Sequence, residues 1–80
     1  MNAKEYIDKG KAELLKKTLN DIQKETAKVW MGRACAAALM GLHGDAKEYA
    51  HEAIEHAALS GDDMLLINVR SVLLDHEVEL

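Results

Sequence analysis

The sequence predicts an all-α domain of about four helices, and three observations carry that prediction. Proline and phenylalanine are both absent. Ala and Leu dominate an apolar fraction of 49%, strong helix formers fill the polar positions too, and β-branched residues are sparse. Apolar residues recur at helical rather than alternating spacing along nearly the whole chain. That apolar fraction is also too high for a disordered segment. Eighty residues make a single helical domain, residues 1–80. At this length folding buries only about 60% of the unfolded surface, so the core is marginal and association is a common remedy.

The first helix is expected over residues 2–19. Asn2 followed three residues later by Glu5 has the form of a capping box, in which each side chain satisfies an otherwise orphaned amide. Tyr6, Ile7, Ala12, Leu14, Leu15 and Leu19 then supply an apolar stripe, with Gly10 a weak point in its middle. A second helix is expected over residues 21–41. The stripe crosses Asn20–Asp21 without a phase break, and Leu15, Ile22, Val29 and Ala36 fall seven apart, the heptad interval. Two pictures therefore compete: two helices hinged at Asn20, or one helix from Asn2 to about Leu42, roughly 60 Å long. The single helix is too long for the short helices that follow to bury, and needs a partner.

Gly41-Leu42-His43-Gly44-Asp45 reads as a glycine stop, a turn and an Asp45 N-cap with Glu48 three residues on, opening a third helix over residues 45–59. Ala46, Tyr49, Ala50, Ala53, Ile54 and Ala57 share one of its faces. Ser60-Gly61-Asp62-Asp63 closes it and caps a fourth helix over residues 62–75, apolar at Met64 to Ile67, Val69 and Val72 to Leu74. The acidic tail from Asp75 is expected to fray.

The longest uninterrupted apolar run is Ala34 to Met40, far short of the roughly twenty residues of a membrane span. The N-terminal residues lack the apolar stretch of a signal peptide. A lone cysteine, Cys35, forms no internal disulfide and fits a reducing cytoplasm, where it reads as a small buried hydrophobe. Charge is distributed unevenly. Met1 to Arg33 carries eight Lys/Arg against five Asp/Glu, whereas Ala34 to Leu80 carries two against nine. Solvated helix faces account for such an asymmetry; so does pairing of the basic helix of one chain with the acidic half of another.

The stretch from Trp30 to Asp63 resembles a single tetratricopeptide repeat, a helix–turn–helix unit of about 34 residues. Trp30 stands at the first-helix aromatic position, Ala34 at the small position four later, Gly41 near the turn, and Ala46 and Ala53 at the two small positions of the second helix. The resemblance implies an antiparallel hairpin in which Ala34, Ala46, Ala53 and Ala57 let two helices pack closely; a small helical bundle is the other architecture. The chain departs from the pattern at Arg33, Ala37, Ala50 and Ala58, and one repeat is fewer than the three or more of a stable solenoid.

No constellation carries catalytic chemistry, and no catalytic residue, metal ligand or cofactor is assigned. Glu48 and His51 have the Glu-x-x-His spacing of di-iron bundles, but those sites use two such motifs and this chain has one. His51 and His56 are five apart and point about 140° away from each other, so they are not a zinc-protease pair. No glycine-rich phosphate loop or paired cysteines occur. The basic helix (Lys4, Lys9, Lys11, Lys16, Lys17, Lys24 and Lys28) is interleaved with acid and poor in arginine, which argues against nucleic-acid binding. The expectation is a non-enzymatic interaction protein of inhibitor, adaptor or antirepressor type, as phages and mobile elements often encode, acting as a homodimer on a protein partner. Leu15, Ile22, Val29, Trp30, Arg33 and Met40 are the candidate partner-binding residues. The alternative is a DNA-associated regulator using the basic N-terminal helix, and a metal-dependent helical enzyme is a third reading.

Overall fold

A computed structural model describes residues 3–80, the Tyr6 side chain excepted. It contains three α-helices, α1 (Ala3–Leu39), α2 (His43–Leu59) and α3 (Asp63–Asp75), and no strand among the described residues. The expected first and second helices are one. Asn20 and Asp21 carry only modest helix-propensity penalties, at most about 0.7 kcal/mol each, and no proline or glycine reinforces them. The neighbouring threonines do not divert the backbone either. Thr18 Oγ1 donates to the Leu14 carbonyl at 3.0 Å and Thr26 Oγ1 to the Ile22 carbonyl at 2.8 Å, bonds compatible with a continuing helix. At about 1.5 Å per residue α1 runs roughly 55 Å, which accounts for a molecule measuring 59 × 18 × 13 Å. The capping box expected at Asn2 lies outside the described residues.

Helix α1 stops at a glycine. Gly41 takes φ 78°, its N–H donates to Ala38 O at 3.1 Å and the Leu42 N–H to Ala37 O at 2.9 Å. These are the paired bonds of a Schellman stop, which needs a residue free to enter the left-handed region. Helix α2 then begins at once, two residues before the expected start. Its N-cap is Leu42, whose side chain makes no capping bond, so the Asp45 cap is displaced. Asp45 instead sits in the first turn, where its charge meets the positive end of the helix dipole. The next turn uses Gly61 at φ 74° and the buried Ser60, whose hydroxyl donates to Ala57 O and accepts from the Asp62 N–H. Asp62 caps α3 by accepting the Leu65 N–H at 3.0 Å.

The core is small-residue packing between α1 and α2, closed by α3. Ala27, Ala34 and Ala37 face Ala46, Ala50, Ala53 and Ala57, while Leu65, Val69 and Leu73 cover them from α3. Leu73 and Val69 are the largest fully buried side chains. Trp30, Met31, Tyr49, Ile54 and Leu66 pack around the margin. The tail does not fray at Asp75. Glu77 enters the left-handed region at φ 58°, its N–H donates to Leu74 O and the Val78 N–H to Leu73 O, both at 2.9 Å. This second Schellman stop returns Val78 to the core, where burying its side chain offsets the strain at Glu77.

Candidate interaction surface

Helix α1 carries two apolar faces, and the fold uses one. Ala27, Trp30, Met31, Ala34, Ala37 and Ala38 lie toward α2 and α3. At about 100° per residue, Ile22 and Val29 lie roughly 140–160° around the helix from Ala27. They are exposed, at 54% and 53%. Ile7, Leu14, Leu15, Leu19 and Met40 are exposed as well. Every described side chain from Ala3 to Leu19 is exposed, because α2 ends level with the middle of α1: His56 Nδ1 and Gln23 Oε1 are hydrogen-bonded, and Lys24 Nζ lies 3.7 Å from Asp62 Oδ2. The N-terminal half of α1 is therefore an arm projecting past the hairpin.

The expected stripe thus resolves into two faces. Leu15, Ile22, Val29 and Met40 share the outer one, with Arg33 at its edge. Trp30 turns inward: its ring lies 5.5 Å from that of Tyr49 at an interplanar angle of 39°, and the Arg33 guanidinium sits over the Trp30 ring, 4.9 Å from its centroid. Arg33 is the only one of the six candidates that touches both faces. Ala34, Ala46, Ala53 and Ala57 are all buried within the hairpin. Ile7 and Leu14 belong to the outer face but were not among the candidates. Their signal was present in the sequence, at positions 7, 14, 22 and 29, but it merges with Leu15 and Leu19 until the buried face is known.

The polar groups are mostly structural. His56 bridges Gln23 on α1 and, through Nε2, Glu52 one turn back at 3.6 Å. His76 Nδ1 bonds the Val72 carbonyl at 2.9 Å, as a donor, at the end of α3. The Leu65 N–H, joined by the Lys24 ammonium, holds the Asp62 carboxyl below its ordinary value. Partial burial pushes the Cys35 thiol up, away from the reactive thiolate. Among the described residues no three His, Cys, Asp or Glu side chains converge on a point that a metal would occupy. No described helix is long and apolar enough to cross a membrane.

Comparison with protein-family models, curated proteins and solved structures finds no match for the chain. The tetratricopeptide resemblance accordingly rests on the residues of the hairpin alone.

Proposed function

We propose that this chain is a small helical protein–protein interaction module, of inhibitor, adaptor or antirepressor type, that works as a homodimer. The observation supporting this reading is the outer face of α1, where Ile7, Leu14, Leu15, Ile22, Val29 and Met40 are all more than half exposed. Single exposed apolar residues are ordinary, but a contiguous row of them along one helix marks an interaction site. A projecting 17-residue arm is also marginal as an isolated helix in water, and burying its apolar side supplies what local hydrogen bonds do not. In this reading the protein catalyses no reaction and works in the reducing cytoplasm, where the lone Cys35 stays a thiol.

Multi-angle light scattering at high micromolar concentration tests the homodimer. The expected mass is twice the 8.8 kDa of one chain, and a mass of 8.8 kDa refutes it. A second reading draws on the exposed lysines of the arm, Lys4, Lys9, Lys11, Lys16 and Lys17. A DNA-associated regulator using them binds duplex DNA with steep salt dependence, and no binding at low salt eliminates that reading.

A further inference from the structure

The outer face of α1 has a symmetry that selects its occupant and its direction. Along the exposed side, the residues at three- and four-residue steps are Ile7, Lys11, Leu14, Thr18, Ile22, Glu25 and Val29. Their spacing is the same read in either direction from Thr18: four, three and four residues out. The chemistry is symmetric too, except that Lys11 on one side is matched by Glu25 on the other. Two copies laid antiparallel, with a two-fold axis at Thr18, place Ile7 opposite Val29, Leu14 opposite Ile22, and Lys11 opposite Glu25. The two-fold repeats each of these pairings.

From these positions we infer that the outer face of α1 is the seam of an antiparallel homodimer centred on Thr18, a geometry that rests on the homodimer reading above. A parallel pairing puts Lys11 against Lys11 and Glu25 against Glu25, like charges within an apolar seam, and like-charge contacts at an interface are strongly unfavourable. The antiparallel pairing converts both into oppositely charged contacts. Glu25 already pairs with Lys28 Nζ at 3.3 Å on its own helix, but that contact is solvent-exposed and uses one carboxylate oxygen, leaving the other to accept a second cation. The Thr18 hydroxyl on the axis is satisfied by the Leu14 carbonyl, so a facing copy strands no donor there.

The dimensions fit. Ile7 to Val29 spans about 33 Å, and the overlap continues about one turn further at each end, to Lys4 and Gly32. Leu15, one residue off the seam, widens it beside Ile22. A two-helix contact of this length falls within the roughly 1,200–2,000 Å² of a stable interface. The hairpin of each copy lies on the opposite side of its own α1, so nothing in the fold obstructs the approach. The arm of one chain then lies along the middle of the partner's α1, and the apolar side that the fold leaves in solvent is covered from Ile7 to Val29.

Disulfide trapping tests the direction. In a Cys35→Ser background, chains carrying Ile7→Cys and chains carrying Val29→Cys are oxidised separately and mixed. Both positions are exposed, so neither substitution disturbs the core, and retained helicity by circular dichroism confirms it. The antiparallel seam gives the mixed 7–29 disulfide and no 29–29 disulfide, because the two copies of residue 29 sit about 33 Å apart while a disulfide requires Cα atoms within about 7 Å. Trapping of 29–29 instead overturns the direction while leaving the homodimer intact. A dimer mass with no trapping in either mixture moves the interface elsewhere, and a monomer mass overturns both. Independently, Lys11→Glu weakens dimerisation by at least about tenfold, and adding Glu25→Lys in the same chain restores it. Failure of the double exchange to restore association overturns the Lys11–Glu25 contact.

Discussion

Leu73 and Leu74 are adjacent on α3, and the fold assigns them opposite fates. Leu73 is fully buried, while Leu74 is 60% exposed. Replacing Leu73 with alanine removes a side chain from a core otherwise built largely of alanines, which have no bulk with which to fill the space. The cost is then expected in the range measured for buried leucines, about 2–5 kcal/mol. A chain of this length has a total stability of roughly 4–12 kcal/mol, so Leu73→Ala removes a large fraction of it. At about 4–8 °C per kcal/mol for a small domain, the melting temperature falls by about eight degrees or more. Leu74→Ala, one residue away, changes stability by less than about 0.5 kcal/mol. The assay is urea unfolding followed by circular dichroism at one fixed protein concentration, since dimerisation adds to apparent stability. Equal effects at the two positions, or the larger one at Leu74, refute the placement of α3 on the α1–α2 pair.

Three further outcomes follow from the same structure. Trp30→Ala costs about 1.5–2.5 kcal/mol, near half of a fully buried tryptophan, because Trp30 is a half-buried margin residue in contact with Tyr49 and Arg33; an unchanged melting temperature shows that these contacts do not contribute. Glu77→Gly stabilises by about 0.5–1 kcal/mol, since φ 58° strains any residue with a Cβ; a lowered melting temperature refutes the left-handed stop at Glu77. Asp62 is held below its ordinary pKa of 3.8 by the Leu65 N–H and by Lys24, so its contribution to folding is complete above that value and is lost as pH falls through the lower folded value. Asp62→Asn keeps a capping oxygen but does not titrate, so its melting temperature falls less steeply with acid than that of the unaltered chain, and parallel profiles refute the assignment.

The parts of this fold that were legible in the sequence are those enforced by one or two residues. Gly41 and Gly61 mark turns because only glycine enters the left-handed region without strain, and the Asp62 cap follows directly from its position after Gly61. The choice at Asn20–Asp21 between one helix and two stayed open in the sequence; the single helix is the one found, because two mildly unfavourable residues do not outweigh the cooperative bonds on either side. The early start of α2 was hidden because Leu42 is an unusual cap, imposed by the compact Gly41 stop rather than by its own chemistry. Glu77 gave no signal, since its conformation is dictated by the burial of Val78 next to it. The outer face of α1 was visible only in part. Its apolar residues were evident, but separating Ile22 and Val29 from Trp30 and Ala34 requires knowing which side meets the hairpin.

The central claim is that the arm, residues 3–19, is a helix whose exposed side is covered by a second chain. Amide hydrogen exchange of the arm, measured at high and at low micromolar concentration, tests it most directly. Protection over residues 3–19 is predicted to rise with concentration, in step with the dimer mass, while the amides of α2 and α3 change less. Arm protection independent of concentration, or an arm that exchanges freely where the protein is fully dimeric, contradicts the account.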